Sequence, residues 1–411
     1  MSAIMASVPE LDIDLFAEAS LKAPFDDYRR LRDAGALVKL QRPDVYAMGR
    51  FAHVQAALRA PDLLKSGEGV GFSEAFNAPR GMNVLQSDGE LHRRMRAVVM
   101  RPLWPAKLKE ARGNLKAMMT ARVAALIGKG RFDAMQGLAS FLPIEAIAHL
   151  VGLPTVGRER MLEWAAATFN LIGPEQDSRD LALLAGARSF MMGLNEQSVR
   201  EGSWAGELFA AARSGELTLV EAMAAISAYI IPSLDTTILA KGHLLHNLAK
   251  HPDQWALLLA RPELIPSAVL EGVRHDSVIR WFSRVAVSDY RCEESIVPQG
   301  ARIMLLYGCA NRDERRYAAP DNFDVSRDSR DHLAWGTGTH MCAGMHLARI
   351  EMEVLLEALV ETRVALTAGE PVRGANRGLF GFTELPFQID PQTSSSRSNN
   401  LVTGDGPHGH H

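Results

Sequence analysis

Ten residues near the end of the chain, Trp335-Gly336-Thr337-Gly338-Thr339-His340-Met341-Cys342-Ala343-Gly344, constrain the fold more than any other stretch. They put one cysteine between a glycine-rich turn and a helix, in a chain of 411 residues with only three cysteines. Gly336 and Gly338 permit positive φ, so the backbone can bend round a sulfur and lie close to a flat ligand. After Cys342, the residues Leu347, Ile350, Val354 and Ala358 make one apolar stripe, while Arg349, Glu351, Glu353 and Glu357 face elsewhere. The pattern predicts a helix from about Ala343 to Glu361. The free N–H groups of Ala343, Gly344 and Met345 would point at the sulfur and favour its anion. A thiolate kept from water needs a large protein core around it.

The bulk numbers allow such a core. The chain is 47% hydrophobic and 23% charged, an ordinary soluble composition. No linker divides it, so residues 1–392 read as a single large domain. A net charge of -3 gives no general case for nucleic-acid binding. Cys292, Cys309 and Cys342 are too few for a disulfide framework and suit a reducing cytoplasm. The N-terminal stretch has no cationic region before its acids, and no run of about 18 apolar residues occurs. No membrane association is therefore expected. Residues 393–411 are polar and end in histidines, reading as a disordered tail and an expression tag.

Helical periodicity dominates from Gly89 to Glu370, with segments at 106–128, 144–150, 157–172, 180–200, 205–214, 218–250, 253–260 and 266–276. Strand-like pieces sit before Gly49 and at VAVSDY and ARIMLLY, and GLFGFTELPFQID alternates like a hairpin. The fold class is mainly α with a minor β region. Residues 65–87 read as a long loop, which in a compact domain is usually functional.

Three further patterns involve charge. Glu271 and Arg274 stand three apart on one helix face, and His92 and Arg96 four apart on another. The 218–250 segment opens with a Thr218–Glu221 capping box and contains Ile231-Pro232-Ser233-Leu234-Asp235-Thr236. Proline removes one helical N–H, so the helix should open or kink before Asp235-Thr236. Residues 89–113 carry seven cations against two acids, making one basic face.

Haem iron can be ligated by a thiolate like that of Cys342. The segment closely resembles the haem-binding loop of the cytochrome P450 family, F-G-x-G-x-H/R-x-C-x-G, with Trp335 in place of the usual phenylalanine. The resemblance spans almost all of residues 15–390. It implies haem b as cofactor, Cys342 as iron ligand, and Trp335 and Gly336 packed near the thiolate. The larger ring of Trp335 could alter the iron potential, which comparison with Trp335→Phe would test. It implies that His92, Arg96, Arg284 and His340 hold the haem propionates, and that Glu271, Arg274 and Arg327 form a buried structural network. Asp235 and Thr236 would serve as proton-relaying acid and dioxygen-binding alcohol.

The same resemblance implies a monooxygenase that uses O2 and electrons from a ferredoxin-type donor with its reductase. The donor would dock on the basic face, with Arg94 and Arg101 as exposed contacts. Gly69-Val70-Gly71-Phe72-Ser73 and Phe169-Asn170-Leu171-Ile172-Gly173-Pro174 look like the bacterial branch that oxidises para-substituted aromatic acids. They would cap a pocket lined by Phe72, Phe169, Ile172, Leu234, Ile279 and Phe282. That branch has arginine where this chain has Glu68, and the matching central-helix positions are Ser227 and Ala228. The expected substrate is therefore a small neutral or phenolic aromatic, hydroxylated or oxidatively O-demethylated. A peroxide-driven enzyme and a non-catalytic haem sensor are the alternatives.

Overall fold

The longest apolar period becomes the longest helix, Leu219–Lys250. Thr218 opens it: its hydroxyl accepts the Glu221 N–H at 3.2 Å, and the Glu221 carboxylate accepts the Thr218 N–H at 2.7 Å. A computed structural model describes residues 7–154 and 158–391, and the histidine-ended tail lies outside them. Among the described residues this helix alone is long and apolar enough to cross a bilayer. It runs instead through the protein core, with Lys241, His243 and Asn247 buried along it. Phe141–Val151, Met161–Asn170, Trp204–Arg213 and Ile265–His275 pack around it.

Pro232 does not open this helix, which stays continuous from Leu219 to Lys250. Proline costs about 3 kcal/mol in a helix interior. The helices packed around this one supply the compensation, since tertiary burial contributes most of a helix's stability. The Thr236 hydroxyl donates to the Pro232 carbonyl one turn back.

Met345–Glu361 lies along Pro105–Leu126. Arg112 pairs with Glu357, and Lys116 with Glu361. The partners advance in step, so the two helices run parallel and their N-terminal turns share one end. The periodic run expected to reach residue 200 stops at Gly193. There Asn195 and Ser198 bond each other's backbone N–H through their side chains, a local alternative to helix.

The β region is a mixed sheet in the order Glu10–Asp14, Val38–Arg42, Asp44–Met48, Arg302–Leu306, Trp281–Ala286, Leu64–Lys65. Trp281–Ala286 pairs antiparallel with Arg302–Leu306, Phe282 opposite Leu305 and Arg284 opposite Ile303. The two-residue period of a strand sends Phe282 and Arg284 to one face. The expected C-terminal hairpin does not form. Pro386–Pro391 pairs with Val364–Ala368, and Phe382–Glu384 with Val372–Arg373. Leu385 parts the two segments: its N–H goes to the Asp133 carboxylate and its carbonyl to the Ala134 N–H.

Candidate active site

The cysteine loop closes on itself through the Cys342 N–H, which donates to the Trp335 carbonyl at 2.8 Å. Gly336 and Gly338 take φ of 67° and 72°, the left-handed region that favours glycine. At Gly338 a Cβ would also come within 2.8 Å of the Leu58 carbonyl, so the loop could not seat against the end of the helix Phe51–Leu58. The following helix starts at Met345. Cys342 opens onto an interior cavity of about 250 Å³. Burial pushes its thiol up, opposed by the Gly344 and Met345 N–H groups and by the Arg96 charge. Burial also pushes up the other two cysteines, Cys309 to about 12 and Cys292 to about 11, so both stay thiols.

Arg96, Arg284 and His340 line the same cavity. Arg96 donates to the Met341 carbonyl at 2.7 Å and Arg284 to the Ser283 carbonyl at 2.8 Å. Neither meets a carboxylate of the described residues within ion-pair distance. Burial lowers the Arg96 pKa, and Cys342 partly offsets this. His92 is buried with both ring nitrogens lacking a hydrogen-bond partner, its ring centre 4.3 Å from that of His340. Burial, then the His340 and Arg96 charges, lower it to about 4. His340 lies 3.5 Å from Asp88, which accepts the Gly67 N–H at 2.7 Å. A thiol facing the cavity, orphaned imidazole nitrogens and two arginines without acids around one slot fit a flat, dianionic ring bearing a metal.

The central helix forms one wall of the cavity that Cys342 also lines. Ala228, Pro232, Thr236 and Ala240 all line the cavity, one every four residues. Asp235 lies beside this row, buried, its Oδ2 without a hydrogen-bond partner. Desolvation raises its pKa to about 7. Glu351 corrects the sequence pattern: it faces inward, 1% exposed, and receives the buried Lys241 ammonium at 2.8 Å.

The aromatic wall is half of what the sequence implied. Phe169, Ile279 and Phe282 line the cavity. The segments around Phe72 and Ile172 do meet: the Phe72 N–H donates to the Ile172 carbonyl at 2.8 Å. Their side chains point elsewhere. Phe72 stacks on Trp281 at 4.6 Å, Ile172 is fully buried against the Gly71 backbone, and Leu234 is a core residue behind the helix. Val84, Leu85, Ser233 and Thr237 also line the cavity, and a four-residue step from Thr236 along the helix would have found Ala228, Pro232 and Ala240.

Glu271 and Arg274 are fully buried and joined by two bonds of 2.7 and 2.8 Å. Arg327 reaches the same carboxylate at 3.2 Å, and Ser329, not evident in the sequence, donates to it at 2.7 Å. Arg274 also clamps the carbonyls of Asn311 and Pro320. The network thus fixes the irregular chain leading into the cysteine loop. Arg94 and Arg101 are not free contacts. Glu221 neutralises the first and Glu216 the second, so both tie the helix Gly89–Met100 and the turn after it to the start of the central helix.

These features define a mainly helical haem-thiolate protein. The Cytochrome P450 family model matches residues 259–389. The cytochrome P450 CYP199A2 of Rhodopseudomonas palustris is 33% identical over 94% of this chain and 96% of its own length. The beta-dihydromenaquinone-9 omega-hydroxylase of Mycobacterium tuberculosis is 29% identical over 93% and 79%. The crystal structure of epothilone D-bound cytochrome P450epoK superposes with a TM-score of 0.83 at 24% identity, covering 93% of this chain and all of that one. The chain belongs to the bacterial cytochrome P450 family. It is a P450 monooxygenase, and its cofactor is haem b.

Proposed function

We propose that this monooxygenase acts on a neutral or phenolic aromatic substrate, by hydroxylation or oxidative O-demethylation, with electrons from a ferredoxin-type donor and its reductase. The observation that carries the reading is one cavity open to Cys342, to Thr236 and to Phe169, Ile279 and Phe282. Haem b, when bound, supplies dioxygen activation. Cys342 would hold the iron, and His92, Arg96, Arg284 and His340 the propionates, with Trp335 and Gly336 against the thiolate side. One oxygen atom enters a C–H bond, and the other leaves as water with two electrons and two protons.

The protons need a carrier at the central helix. Asp235, titrating near 7, is poised to give and regain one at neutral pH. Thr236 can turn its hydroxyl from the Pro232 carbonyl towards the cavity. This pair favours dioxygen with reductase over peroxide alone. The cavity's two arginines are those suited to the propionates, which leaves a substrate carboxylate without a cation and supports a neutral ring.

Turnover of 4-methoxyphenol with NADH, a surrogate ferredoxin and its reductase should release formaldehyde, and peroxide alone should give little. Equal rates from peroxide would overturn the dioxygen reading. Tighter binding of 4-methoxybenzoate than of 4-methoxyphenol, followed by the haem spin shift, would overturn the neutral substrate.

A further inference from the structure

A second chamber of about 980 Å³ adjoins the first and shares Leu85, Phe169, Ala228 and Pro232 with it. Pockets for drug-sized ligands span about 300–1,000 Å³, so this chamber lies at the top of that range. A single substituted ring would leave most of it filled with water against apolar walls. Those walls include Met191, Phe209, Met223 and Ile231. Methionine side chains adapt to a flexible ligand better than branched ones do.

The rim shows the same character. Met192, Leu219 and Val220 stand exposed there, Met192 at 83%, three of the nine exposed large hydrophobics among the described residues. Clustered exposed apolar side chains on one rim mark a binding surface. Among the described residues only three charged side chains reach the wall. Arg213 and Glu196 neutralise each other, and Arg188, which donates to the Ala75 carbonyl at 2.9 Å, is the one lining cation without an acid partner among the described residues. Apart from that one cation, burial of apolar surface dominates on this wall.

We infer that the outer chamber holds an apolar chain, so that the substrate is an extended molecule that presents one end to the inner cavity. The inference rests on the monooxygenase reading of that cavity and enlarges its substrate from one ring to a ring with an alkyl-like tail. Each methylene transferred from water is worth about 0.8 kcal/mol, close to four-fold in affinity.

Two ligand series test it on the haem-loaded protein, with the spin shift giving the dissociation constant. One runs from 4-methoxyphenol to 4-octyloxyphenol, the other from butan-1-ol to dodecan-1-ol. Both should tighten by up to about four-fold per methylene. Ala224 lines only the outer chamber, and Ala224→Trp should flatten both series. A reduced-carbonyl spectrum identical to wild type verifies the fold, and Ala224→Phe serves if tryptophan is not tolerated. Flat series in the wild type, or equally steep series in a folded variant, would overturn the inference. Long alkanols that bind while no phenol does would instead overturn the aromatic reading and leave the chamber standing.

Discussion

Asp235 carries one carboxylate oxygen into the core with no partner for it, and the cost depends on pH. Its carboxyl titrates near 3.8 in an unfolded chain and at about 7 in the fold. Below the lower value both states hold the proton, and burial costs little. Between the two values the unfolded chain alone gains by ionising, so the fold loses stability as pH rises. Above 7 the loss is complete, on the order of 4 kcal/mol. Asparagine cannot ionise, so Asp235→Asn should gain on the wild type across this window. Thermal midpoints at pH 5 and pH 8 measure it, and a gap that does not widen at pH 8 would count against the buried acid. The acid and alcohol were legible as neighbours in the sequence. Their burial was not, because it depends on helices far away in the chain.

Among the elements, the helix Ile265–His275 shows how a local pattern acquires a distant purpose. The three-residue spacing of Glu271 and Arg274 fixes that they meet. It does not fix that Arg327, Ser329 and the Asp324 N–H converge on the same carboxylate. Removing Glu271 leaves buried guanidinium charge and a loosened run of chain before Cys342. Loss of one partner of a buried pair costs about 3–5 kcal/mol. Glu271→Ala should therefore fold poorly and carry little haem. Haem per chain, from the reduced-carbonyl spectrum against protein concentration, tests this, and full occupancy would refute it. Helices were the most legible elements, because 3.6-residue periodicity is a local signal. The C-terminal hairpin and the opening expected at Pro232 misled because partners remote in sequence decided both. The side chains of Phe72, Ile172 and Leu234 misled for the same reason: proximity of segments does not fix which way a residue points.

At the scale of the whole molecule, the basic face is largely neutralised. Arg93 pairs with Glu90, Arg94 with Glu221, Arg101 with Glu216 and Arg112 with Glu357. Seven cations counted along the sequence thus overstate the field an approaching protein would meet. Lys107 and Lys109 are exposed and have no acid within ion-pair distance among the described residues. They lie in the first turns of Pro105–Leu126, at the same end as the first turn of Met345–Glu361 and Cys342. Under the proposed function, charge there would steer an acidic electron donor to the thiolate side of the haem. Long-range attraction of this kind raises association rates and fades once the Debye length falls below about 10 Å. The variant Lys107→Glu with Lys109→Glu should raise the apparent KM for a surrogate ferredoxin several-fold at low salt and converge on wild type at high salt. Turnover at saturating donor should stay the same, since neither lysine reaches the cavity. Arg94→Gln should act differently: it frees the buried side of Glu221, so it should lower thermal stability more than it changes donor affinity. Stopped-flow reduction of the haem across a salt series separates the two effects. Equal donor KM for the lysine variant and wild type at low salt would remove the docking role from this face.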